Sequence, residues 1–109
     1  MNTYIPDRWV KIRISTDEHG VHERVFAGWY GGYLSGDSWK MSSGITKEVD
    51  EGACIDFHGK TGSVYRCYKH NYGMSGYMTS VLTSFQKDTK EAPGGSVEII
   101  EQPNYASLG

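Results

Sequence analysis

Positive charge, cysteine and long apolar runs are all in short supply in this chain, and each shortage narrows what it can be. Eleven Lys and Arg against thirteen Asp and Glu leave a net charge of −2. A duplex-binding domain or a polybasic membrane-surface module carries a basic footprint that is missing here. No apolar run approaches the ~18 residues of a membrane span, and Met1–Val10 lacks the basic-then-apolar pattern of a secretory leader. No Asn-x-Ser/Thr acceptor occurs. Together these absences set the expectation of a cytoplasmic, soluble protein with no membrane partner. The two cysteines, Cys54 and Cys67, read as free thiols, with a cross-strand disulfide as the alternative. A chain this long buries about two-thirds of its unfolded surface and folds without a bridge or a metal. Internal repeats and low-complexity stretches are also missing, so the expectation is one domain over 1–109, with a core at about 7–102 and short tails.

What the chain does have is an unusual stretch between Gly28 and Trp39, GWYGGYLSGDSW. Glycine lets a backbone take positive φ or come close to another group, and aromatics supply large contact area at low side-chain entropy. A second segment of the same character, YKHNYGMSGY, spans Tyr68–Tyr77.

Periodicity sets the elements around these two segments. In Arg8–Ser15, Val10, Ile12 and Ile14 alternate with Trp9, Lys11 and Arg13, the pattern of a half-buried strand. Val21–Trp29 follows the polar turn Thr16–Gly20 and completes an antiparallel hairpin. Trp39–Ile45 reads as a weaker strand and Thr46–Gly52 as a charged turn. Ala53–His58 and Ser63–Lys69 form a second hairpin about Gly59-Lys60-Thr61-Gly62. A symmetric turn there pairs Phe57 with Val64, Ile55 with Arg66 and Ala53 with Tyr68, and sets Cys54 opposite Cys67. Its apolar face would carry Ala53, Ile55, Phe57, Val64 and Tyr68.

From Met78 the period changes to that of a helix, with Met78, Val81, Leu82 and Phe85 in one stripe over Gly76–Asp88 and Ser75 as N-cap. Pro93-Gly94-Gly95 ends it, and Ser96–Glu101 is a last strand. The expected fold is therefore mainly β, with α+β as its variant: a small bent antiparallel sheet or partly open barrel of about six strands with one short helix near the C-terminus. Val10, Ile12, Ile14, Val25, Ile55, Phe57, Val64, Leu82 and Phe85 are its expected core.

Apparent chemical motifs fail on inspection. Gly59-Lys60-Thr61 looks like the end of a phosphate-binding loop, but Cys54 stands where the first glycine belongs and a strand follows where a helix must. Gly36-Asp37-Ser38 in a Gly-rich loop is a turn and strand entry, with no completing Asp-x-x-His. Cys54, His58, Cys67 and His70 have zinc-like spacing, but strand residues four apart are separated by about 13 Å and cannot reach one ion. No cofactor, metal or catalytic residue is therefore expected.

Three functions remain in view. The first is a non-enzymatic binding module contacting a protein or small ligand through Trp29, Tyr30, Tyr33, Trp39, Tyr72 and Tyr77. The second is a single-stranded nucleic-acid-binding, OB-like domain using these rings with Lys40, Lys60, Arg66, Lys69 and His70, which the net charge disfavours. The third is a small hydrolase or thiol enzyme acting through Ser38 or Cys67.

Overall fold

A computed structural model describes residues 2–32 and 36–100. Its strands, in chain order, are β1 (Thr3–Tyr4), β2 (Arg8–Thr16), β3 (Gly20–Trp29), β4 (Ser38–Met41), β5 (Ile45–Asp50), β6 (Cys54–Gly59), β7 (Val64–Tyr68) and β8 (Ser96–Ile100). A 3-10 turn spans Lys69–Asn71, and the helix α1 spans Gly76–Lys90. The protein is mainly β, as the alternation implies. The strands make two four-stranded sheets, ordered β1-β7-β6-β5 and β4-β3-β2-β8, rather than one bent sheet, and no barrel closes. Among the described residues all pairings between these strands are antiparallel except the short β1–β7 pair, and one isolated parallel bridge joins Trp9 to Tyr72.

The β2–β3 hairpin is the central layer because both of its faces are covered. Val10, Ile12, Ile14 and Phe26 pack with Val97, Met78 and Leu82 on the helix side. On the other side Trp9, Val25 and Ala27 meet Ile55, Phe57, Tyr65 and Cys67 of the second sheet. Trp9, on the polar parity of the sequence pattern, is thus wholly buried. Period two tells which residues share a face, but not that a second sheet will cover the other one. Of the expected core, Phe85 alone is only partly buried, at the margin of the helix-side cluster. The helix begins as anticipated: the Ser75 hydroxyl accepts from the Met78 amide at 3.2 Å, satisfying a first-turn N–H.

The β6–β7 register differs from the symmetric one. The Gly59 amide donates to the Ser63 carbonyl at 2.8 Å and the Gly62 amide to the Gly59 carbonyl at 3.0 Å, so the loop has three residues, Lys60 to Gly62. Gly62 closes it at φ +97°, the left-handed position that such a loop assigns to glycine. Gly59 thus faces Ser63 rather than Gly62, which shifts the partners by one and flips every β7 side chain to the other face. Cys54 therefore pairs with Tyr68, Ile55 with Cys67, and Phe57 with Tyr65. Tyr65 and Cys67 face the inter-sheet core, Tyr68 is only partly buried, and Val64 is buried as expected but on the other face of the sheet. The two thiols lie on opposite faces of the sheet and are not bonded.

Thr46–Gly52, read as a turn, holds most of β5. Its charge is that of a sheet edge rather than a loop: Lys47, Glu48 and Asp50 stand on the outermost strand beside β6, where charge discourages pairing with another chain. Lys11 reaches from β2 to Glu48 and also bonds Glu23 at 3.2 Å, while Arg13 holds Glu23 from the other side at 3.1 Å.

Burial alone would raise the Glu23 pKa, but the bonds from Lys11 and Arg13 outweigh it and hold the carboxyl below its ordinary 4.5. The stabilisation this contributes is complete above the unfolded value and disappears as pH falls through the lower folded value. Melting temperature should therefore fall with acidification below about pH 4.5. In Glu23→Gln the decline should be shallower, and an equally steep one would remove Glu23 from the account. Burial works to lower the Lys11 pKa, but Glu48 and Glu23 raise it overall, so its share persists to alkaline pH.

Candidate functional site

The aromatics of the two Gly-rich segments divide into an inner and an outer set. Trp9, between the segments in space, organises the inner one. Its ring meets Phe57 at 5.4 Å and the edge of Tyr72 at 5.0 Å. Its indole Nε1 donates to the Tyr68 carbonyl at 2.7 Å, and its own carbonyl accepts from the Gly73 amide at 2.8 Å. Tyr72 is further tied by its hydroxyl, which donates to the Ile100 carbonyl, and its carbonyl accepts from Arg8 at 3.1 Å. Trp29 lies against Tyr4 and donates from Nε1 to the Ile5 carbonyl at 2.9 Å. Both Tyr72 and Trp29 pack on the inter-sheet core. They hold the segments in place.

The outer set is Tyr30, Trp39 and Tyr77, which are 56%, 44% and 41% exposed. Tyr30 follows the end of β3, Trp39 is on β4 and Tyr77 is in the first turn of α1. Trp39 pairs across the strands with Gly28. Met78 packs directly on Gly28, where any Cβ would run into its side chain, and this contact brings the first turn of α1, with Tyr77, to the same place. Tyr30 leaves the end of β3, its amide held by the Asp7 carboxylate at 2.9 Å. Gly31 comes close to Gly36: a Cβ on Gly31 would overlap the Gly36 carbonyl, an approach that only glycine permits. Tyr33 lies outside the described residues. Sequence reasoning overlooked Ile5, 51% exposed beside Trp29; a lone apolar residue ahead of Pro6 carries no periodic signal.

The residues weighed for other chemistries are dispersed. Arg66 forms a two-pronged pair with Asp56 at 3.0 and 3.2 Å, and Lys69 bonds Asp50 at 2.9 Å. Lys40 lies over the Tyr4 ring and Lys60 stands at the β6–β7 hairpin tip. Cys67 is fully buried in the core, and desolvation drives its thiol pKa far up, the opposite of what a nucleophile needs. Tyr65 beside it is pushed up to about 12 by the same burial. Cys54 and His58 share the outer sheet face, away from Cys67. Among the described residues no three His, Cys, Asp or Glu side chains are grouped to hold a metal ion, and no helix is long and apolar enough to cross a membrane.

Comparison with known proteins gives no match: no family model fits the chain, and neither a curated protein nor a solved structure is similar to it.

Proposed function

We propose that this protein is a non-enzymatic binding module whose partner, a protein or small ligand, docks against Tyr30, Trp39 and Tyr77. The observation supporting this reading is the division of labour among the ring residues. Trp9, Trp29 and Tyr72 spend their polar atoms on backbone carbonyls and their faces on the core, whereas the outer three have large exposed areas on a rigid base. Rigid aromatic anchors on a fixed scaffold are the composition of interface hot spots.

The test is to immobilise the wild type and the Trp39→Ala and Tyr77→Ala variants and compare what each retains, together with their folding midpoints. A true partner should bind either variant weaker by about 2 kcal/mol or more, with the fold intact. Equal retention by wild type and variants would remove the aromatic surface from the account. Retention of single-stranded oligonucleotide that falls steeply with salt would instead favour a nucleic-acid ligand.

A further inference from the structure

A second site is suggested on the opposite end of β3, far along the strand from Trp39. β4 pairs with β3 only from Phe26 to Trp29, so the Gly20–Arg24 stretch has β2 on one side and, among the described residues, no strand on the other. There the connection from β4 to β5 bends away through Ser42, whose amide donates to the Val25 carbonyl. The hairpin tip of the second sheet fills in behind it, with the Lys60 amide donating to the Gly44 carbonyl at 2.9 Å. Between these two joined segments and the β2–β3 turn with the adjoining part of β3 opens a cleft of about 360 Å³ lined by His19, His22, Arg24, Gly44 and Lys60.

We propose that this cleft binds a small phosphate-bearing ligand. Every ionisable side chain lining it is cationic or can become so, and no carboxylate is among them. The nearest acid on the strand, Glu23, has the opposite parity to His22 and Arg24 and is held on the other face by Lys11 and Arg13. Glu18 lies 3.8 Å from the His19 ring, on the turn at the rim. Neither Arg24 nor Lys60 has a carboxylate within ion-pair distance among the described residues. The Arg24 Nε is buried with no hydrogen-bond acceptor, an arrangement that proteins rarely leave uncompensated.

The cluster also works against itself while empty. Desolvation, then repulsion from Arg24, His19 and Lys60, lowers the His22 pKa. An anion reverses the electrostatic part of that balance by giving the like charges a common partner. A guanidinium fork with an ammonium and imidazoles matches the several acceptor oxygens and double charge of a phosphate better than the two oxygens of a carboxylate. The cleft exceeds the size of the ion itself, leaving room for the group that carries it.

The experiment follows the four histidine rings by heteronuclear NMR while inorganic phosphate is added at constant ionic strength, with acetate and chloride as parallel titrants. Phosphate should shift the His22 and His19 resonances saturably in the millimolar range and raise the His22 pKa, leaving His58 and His70 unmoved. Arg24→Gln should weaken the response about tenfold or more, the scale of one lost charge-assisted hydrogen bond. Lys60→Gln, at the exposed hairpin tip, serves the same purpose if Arg24→Gln fails to fold. Shifts that do not saturate, that acetate reproduces equally, or that survive both substitutions would overturn the proposal. Because the cleft shares no residue with the aromatic surface, failure here leaves the binding-module reading standing, and the converse holds as well.

Discussion

Trp9→Ala should cost about 3–5 kcal/mol of folding stability, the range for truncating a large buried aromatic. Small domains hold only about 5–15 kcal/mol in total, so the loss removes a large share of the stability. Three separate losses meet at this residue. The indole fills the space between the two sheets, where its ring touches Phe57 and Tyr72. Its Nε1–H satisfies the Tyr68 carbonyl, which would lose its donor. Its ring also supports Tyr72, through which the segment before α1 is tied to β8. Urea unfolding followed by circular dichroism measures the change, and a loss below about 1 kcal/mol would mean that the inter-sheet core does not depend on the residue.

Phe57→Ala should cost about 3–5 kcal/mol on its own, because its ring is buried against Trp9 from the opposite sheet. The double variant is the more informative experiment. Two side chains in direct contact share one cavity, so the combined loss should fall short of the sum of the single losses by about 0.5–3 kcal/mol. Strict additivity would place the two rings in separate environments. That result would contradict the packing of one sheet on the other.

Those two residues also mark what could be read from the chain and what could not. Alternation in Val10–Ile14 and the three-four spacing from Met78 to Phe85 correctly located β2 and α1, because each pattern reports how one element repeats along its own length. Phe57 was placed in the core for the same reason. Trp9 was not, since burial of a second face depends on another sheet arriving from more than forty residues away in sequence. β5 escaped notice because the charges that protect a sheet edge also look like a solvated turn. β1 has only two residues, Thr3 and Tyr4, too few to show a period.

The hairpin register turned on a single question, whether Gly59 faces Gly62 or Ser63 across the turn. Both readings place a glycine in the turn; only the three-residue loop requires its positive φ. The aromatic segments were recognisable as unusual, yet composition could not sort their rings. Trp29 and Tyr72 became anchors because backbone carbonyls at Ile5 and Ile100 stand within reach, and these are contacts between distant segments. Tyr30, Trp39 and Tyr77 remain largely exposed, and of these Trp39 rests on Phe26.

The division between anchoring and exposed rings is most directly tested by the urea unfolding midpoint of Trp39→Ala set beside that of Trp9→Ala. Trp39 is 44% exposed and its ring rests on Phe26 at 5.8 Å, so the account predicts a loss of no more than about 1.5 kcal/mol and a native circular dichroism spectrum. A loss of about 3 kcal/mol or more, matching that of Trp9→Ala, would make Trp39 part of the core and contradict the existence of a free aromatic surface at this end of the protein.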